Sequence, residues 1–86
     1  MEIQQSHNTQ GGAFFIEQGD ERIAELTYRK INDDTIDANH TFVSPSLRGQ
    51  GVADKLYQAL MAYVERENLK VQASCSYVAA KLARAK

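Results

Sequence analysis

The 86 residues amount to one domain's worth of chain, read as a single unit over 1–86 with no room for a second core. Hydrophobic residues at 43% and charged residues at 24% fit an ordinary folded domain and exclude wholesale disorder. Ten basic against eleven acidic side chains leave a net charge of -1, which argues against a nucleic-acid partner held mainly by charge. No apolar run approaches the roughly 20 residues that a membrane helix needs, so no membrane partner is expected. The opening Met1-Glu2-Ile3-Gln4-Gln5 has neither a basic start nor an apolar stretch and does not read as a secretory signal. Cys75 is the single cysteine and cannot pair within the chain, which fits a reduced, cytoplasmic setting. Two histidines and one cysteine at these spacings do not make a zinc site, so no metal is expected.

In chain order, Ile3 to Asn8 alternates weakly and reads as an edge strand, with Gly11-Gly12 as the turn after it. Ala13 to Gln18, carrying Phe14, Phe15 and Ile16, reads as a strand, and Gly19-Asp20 supplies a tight hairpin turn. Glu21 to Ile31 alternates through Ile23, Leu26 and Tyr28, with a fault at Ala24. Asn32-Asp33-Asp34 is a second turn. Thr35 to Val43 is a third strand, with Ile36, Ala38, His40 and Phe42 expected on one face. Pro45 ends that strand because proline cannot donate to a ladder. Ala53, Leu56, Tyr57, Leu60, Met61 and Val64 then mark one face of a helix of about four turns, closed by Glu65 to Asn68. Lys70 to Ser74 is a short strand, and a weaker helix runs from Ser76 to the C-terminus. The strands flanking the long helix should be parallel, and those joined by short turns antiparallel. The expected fold is a mixed, mostly antiparallel sheet with one βαβ crossover and a short C-terminal helix, in the α/β or α+β class.

The chemistry concentrates at Arg48-Gly49-Gln50-Gly51-Val52-Ala53, between a strand and a long helix. The first N–H groups of a helix have no partner within it, and the helix dipole adds positive charge there. Glycines let an anion approach that backbone, so a phosphate or pyrophosphate is the natural guest. Arg48 could add a charged fork. The same glycines could equally serve only to shape the turn. Charge is also uneven along the chain. Glu17 to Asp37 holds seven acids and three bases, and Lys70 to Lys86 holds four bases and no acid. Two solvated faces explain this; an anionic ligand near the C-terminal half and a cationic one near the middle explain it too.

The segment resembles the signature of the GNAT superfamily of acetyl-CoA-dependent N-acetyltransferases: Arg or Gln, two residues, Gly, one residue, then Gly or Ala. Arg48, Gly51 and Ala53 fit it. His40-Thr41-Phe42-Val43 before the turn and Cys75-Ser76-Tyr77-Val78 after the next strand are similar to a stripped-down branch of very short GNAT-like proteins. The resemblance covers about Phe14 to Leu82. It implies acetyl-CoA as cosubstrate, with backbone groups of Arg48, Gly49, Gln50, Gly51, Val52 and Ala53 on the pyrophosphate. It further implies that backbone groups of Thr41, Phe42 and Val43 pair with the pantetheine arm. An amide there could also face the thioester oxygen. Longer members of the family carry two helices between their first strands and further strands at the C-terminus. Here Asp20 turns directly into the next strand and the sequence stops after the last helix, so the acceptor site is expected to be open or completed by a partner.

Three side chains carry both a functional and a plain reading. Cys75 precedes a helix start, where a thiol is acidified; it could take the acetyl group, form a mixed disulfide with CoA, or simply be a small buried thiol. His40 could deprotonate Cys75 or an incoming amine, or be a hydrogen-bonded sheet histidine. Tyr77 stands where relatives place an acid for the departing thiolate, or it packs the short helix. The expected activity is acetyl transfer to an unidentified amine by a monomer or weak dimer. Its alternative is an acyl-CoA-binding sensor or accessory module without turnover.

Overall fold

A computed structural model describes residues 2–84. Five strands lie in the order β1-β2-β3-β4-β5, spanning Gln4–Asn8, Gly11–Gln18, Glu21–Asn32, Thr35–Val43 and Lys70–Ala73. The first four are antiparallel neighbours, and β5 runs parallel to β4. Helix α1, Val52–Arg66, makes the crossover between β4 and β5; helix α2, Ser76–Arg84, follows β5. The mixed sheet and its single crossover match the expected architecture. The last two residues of the expected final helix lie outside the described residues.

The core follows from the helix pattern. Val52, Leu56, Leu60 and Val64 bury one stripe of α1, against Phe14, Ile16, Leu26, Ile36 and Ala38 of the sheet. Val78 anchors α2 in the same cluster. Tyr63 continues the stripe, stacking beside Phe14 and Tyr28 with centroids 5.7–5.9 Å apart. Asn68, at φ 56°, takes the left-handed conformation that ends α1.

Three local expectations need correction. Gly11 and Gly12 are not a turn; they open β2, and Thr9-Gln10 makes the turn. A Cβ at Gly11 would strike the Tyr28 carbonyl, and one at Gly12 the Ser6 carbonyl. Both glycines are therefore required by close strand approach. In β3, Ile23 and Ala24 are both buried because Glu17 pairs with Arg22 and Ile16 with Ala24, leaving Ile23 as an extra residue. This bulge explains the fault in alternation. In β4, Tyr28 pairs with Ala38 and Thr27 with His40, so Asn39 is the extra residue. Ile36 and Ala38 are buried, but His40 and Phe42 are exposed and do not share their face. Asn39 Oδ1 accepts a hydrogen bond from the Thr27 hydroxyl, which fixes the bulge.

Candidate functional site

The Asn39 bulge sets the geometry of the site. Before it, β4 pairs with β5 through Ala38. After it the two strands part. Ser74 and Cys75 both donate their N–H to the Ala38 carbonyl, each at 3.0 Å, and no later pair forms. Ser44 N–H donates to Ile23 of β3 at 2.8 Å. Backbone direction alternates along a strand, so Thr41 and Val43 turn their N–H and C=O to the open edge while Phe42 turns its own to β3.

Cys75 stands opposite Thr41 on that edge. Its carbonyl accepts from Ala79 N–H at 2.9 Å, so it occupies the N-cap position of α2. Its Sγ lies 3.3 Å from the Thr41 hydroxyl. Burial pushes the thiol up, but the Thr41 hydroxyl and the N–H groups of Val78, Tyr77 and Thr41 outweigh it, and the thiol is held below its ordinary value. Thr41 was expected to offer only its backbone. Its hydroxyl contact depends on a bulge that leaves no mark in the residue pattern.

The turn after β4 is built by short-range bonds. Leu47 N–H donates to Ser44 and Arg48 N–H to Pro45, forming one 3-10 turn over Pro45–Leu47. Leu47 is buried and pins it to the core. Gly49 at φ 84° and Gly51 at φ 72° then take left-handed conformations. Gly51 caps α1 without a side-chain hydrogen bond, so the first N–H groups of that helix are left for another partner. Arg48 is exposed beside them. A groove of about 230 Å³ runs over this turn, lined among others by Val43, Gly49, Ala53, Asp54 and Tyr77. Nothing crowds a Cβ built at Gly49 or Gly51, so the backbone there is open to a ligand. Open amides, an uncapped helix start and an adjacent arginine fit a diphosphate. Asp54 is held below its ordinary value chiefly by a hydrogen bond from Lys81, whose Nζ lies 2.7 Å away. Neither Asp54 nor Lys81 was singled out in the sequence; the basic C-terminal stretch was the signal available.

His40 does not join this group. It lies on the other face of the sheet, with Nε2 3.8 Å from Glu25 Oε2. Thr41, next to it in the strand, points to Cys75 instead. The His40 face carries no helix among the described residues, and Phe42 is 41% exposed on it. A second cavity, about 290 Å³, lies at the far end of the sheet among Tyr28, Tyr63, His7 and Glu67, remote from the thiol and the glycine turn. Among the described residues no group of three or more His, Cys, Asp or Glu side chains could hold a metal. No described helix is long and apolar enough to cross a membrane.

Known proteins share this fold. The profile of a family described as GCN5-related N-acetyl-transferase matches residues 13–86. A GCN5-like protein from Staphylococcus aureus, solved by NMR, is 38% identical with a TM-score of 0.76, over 98% of this chain and 79% of that one. A GNAT acetyltransferase from Elizabethkingia anophelis, crystallised with acetyl-CoA, shares the fold with a TM-score of 0.66 at 15% identity, over 90% of this chain and 53% of that one. Protein NATD1 of Xenopus tropicalis is 38% identical over 55 residues, which are 64% of this chain and 50% of that protein. The chain thus spans about half the length of the curated relatives it matches. With the family profile covering residues 13–86, and the glycine turn, parted strands and crossover helix in place, the chain belongs to the GCN5-related N-acetyltransferase family.

Proposed function

We propose that this protein binds acetyl-CoA in the groove over the glycine turn and transfers the acetyl group to an amine. The observation that carries the reading is the alignment of two features along one path. The uncapped start of α1 suits the diphosphate, and the free edge of β4 offers the Thr41 and Val43 amides to the pantetheine arm. Arg48, Gly49, Gln50, Gly51, Val52 and Ala53 hold the diphosphate end. Tyr77, which lines the same groove, is the proposed acid for the departing thiolate.

Cys75 is the proposed acyl acceptor within the protein. Its thiolate, the proton already lost to solvent, attacks the acetyl carbonyl, the bond from that carbonyl to the CoA sulfur breaks, and CoA leaves as the thiolate. An amine then takes the acetyl group and frees Cys75. The N–H groups that now face Sγ are the donors available to the developing oxyanion. His40 is the proposed base for the amine, which would approach from the uncovered face. It does not act on Cys75.

A second reading has one observation in its favour: His40 and Cys75 stand on opposite faces of the sheet. In that reading the domain holds acyl-CoA without turnover. Intact mass after mixing with acetyl-CoA, native and then denaturing, separates them. A native complex in wild type and Cys75→Ala, with a covalent acetyl adduct in wild type alone, supports the transfer reading. A complex with no adduct, together with no product from a panel of amines, leaves the binding module. No complex in either protein sinks both.

A further inference from the structure

No step of the proposed transfer uses Asp37, yet it alone among the described charged and polar residues is buried, at 6% exposed. Ile36 and Ala38 on either side of it belong to the core, so Asp37 faces the side of the sheet that carries no helix. Arg29 of β3 and Gln72 of β5 flank it in register. None of the ion pairs among the described residues includes it. A buried carboxylate is costly unless hydrogen bonds satisfy it. Its one side-chain hydrogen bond among the described residues comes from Ser74, whose hydroxyl donates to Asp37 Oδ2 at 2.8 Å. Ser74 is the first residue past β5 and the residue before Cys75.

We propose that Asp37 is a positioning residue: through Ser74 it fixes the end of β5, so that Cys75 keeps its sulfur on the Thr41 hydroxyl. This rests on the reading of Cys75 as the acyl acceptor. The end of β5 hangs on few bonds. Pairing between β4 and β5 stops at Ala38 and Ala73. Beyond it the Ala38 carbonyl receives the N–H of both Ser74 and Cys75. The two bonds converge on a single atom, which leaves the chain free to pivot about it. The Ser74 bond to Asp37 adds a second point, one residue back along β4, and two points fix a direction. On its far side Cys75 is held by the Ala79 N–H on its carbonyl. With the backbone fixed on both sides, Sγ rests 3.3 Å from the Thr41 hydroxyl. A nucleophile gains from being held in one geometry before the substrate arrives. Asp37 acts through this hydrogen bond and not through its charge, because a negative charge near the thiol opposes thiolate formation.

The test is the pH profile of Cys75 alkylation by iodoacetamide in wild type, Ser74→Ala, Asp37→Asn, Asp37→Ala and the double variant of Asp37→Ala with Ser74→Ala, beside their urea midpoints. Ser74→Ala, at an exposed position, should raise the midpoint of the profile. It should slow alkylation at neutral pH by about three- to tenfold, the size of one ordinary net hydrogen bond. Asp37→Ala should raise the midpoint too, although removal of a nearby negative charge by itself lowers a thiol. Asp37→Asn keeps an oxygen that accepts from Ser74 and should keep the wild-type profile. The double variant should be no slower than either single one, because both remove the same bond. A wild-type profile in Ser74→Ala overturns the proposal whatever its urea midpoint, since the bond then serves stability alone. A lower midpoint in Asp37→Asn and Asp37→Ala alike overturns it as well, since the carboxylate then acts by its charge. Ser74→Ala decides the matter alone if Asp37→Ala does not fold. Acetyl-adduct formation, read by denaturing mass, should fall in the same order as alkylation. Absence of the adduct in wild type would instead remove the acyl-acceptor reading itself, and the role in transfer with it, whichever way the profiles fall.

Discussion

The Thr41 hydroxyl lies 3.3 Å from the Cys75 sulfur, across a sheet edge where β4 and β5 have ceased to pair. The contact joins two positions 34 residues apart in sequence. It depends on the Asn39 bulge, which turns Thr41 toward β5 and His40 away from it.

A thiolate held by this contact should react faster than an ordinary one at neutral pH. Thr41→Val keeps the branched shape and removes the hydroxyl. Burial then raises the thiol with less to oppose it, and its titration moves up in pH. Alkylation of Cys75 by iodoacetamide at neutral pH should slow by about three- to tenfold, the size of one ordinary net hydrogen bond. Rate against pH should give a midpoint lower in wild type than in the variant. Superimposable profiles would show that the hydroxyl does not stabilise the thiolate.

The glycines of the turn should separate stability from binding. Gly51 sits at φ 72° and Gly49 at φ 84°, and an added Cβ meets nothing within 4 Å at either. Alanine there is strained by backbone conformation alone, at about 1–2 kcal/mol for each position. Urea unfolding of Gly51→Ala should show a loss of that size. The native complex with acetyl-CoA should fall much further, because the backbone that meets the diphosphate has moved. A variant that loses stability but binds as wild type would detach the glycine turn from the ligand.

The stability of the domain should rest on the α1 stripe. Leu56 is 0% exposed, between α1 and the sheet. Leu56→Ala removes buried methyl groups and leaves a cavity, at a cost of about 2–5 kcal/mol. Phe42→Ala removes a larger side chain from the uncovered face and should cost within about 0.5 kcal/mol. Urea midpoints for the two variants check the contrast. Equal losses would mean that the uncovered face is packed in solution by something the single chain does not show.

Much of this arrangement is legible in the residues, because period and punctuation are local signals. The stripe from Ala53 to Val64 locates α1, Gly19-Asp20 marks the β2–β3 turn, and Pro45 closes β4. The glycine turn stands out because only that residue type takes φ near 70–85° freely. What escapes is whatever depends on pairing register. A bulge adds one residue without changing composition, so strict alternation through Thr35 to Val43 puts His40 beside Ala38 when the sheet places them on opposite faces. Gly11 and Gly12 read as a turn because close backbone approach calls for the same residue as a turn does. The Asp54–Lys81 pair escapes for another reason: its members lie 27 positions apart, on two helices whose packing no local signal sets.

That pair carries the pH dependence of the contact between α1 and α2. Asp54 titrates below its ordinary value, first because of the Lys81 hydrogen bond, and Lys81 titrates above its own, first because of the Asp54 hydrogen bond. For the acid, a lowered folded value means that the stabilisation is complete above the ordinary carboxyl range. It is lost as pH falls through the folded value. For the amine, a raised folded value means that the stabilisation is complete below the ordinary lysine range and is lost as pH rises through the folded value. The pair therefore contributes across the whole interval between the two ordinary values, about pH 4 to about pH 10. Asp54→Asn removes the charge and leaves the amide in place. The Tm of wild type should exceed that of the variant at pH 7, and the difference should shrink toward zero as the solution is acidified below pH 4. Added salt should shrink it at pH 7 as well, because both side chains reach solvent. A difference that holds constant from pH 7 into the acid range would mean that the carboxylate's charge plays no part in joining α1 to α2.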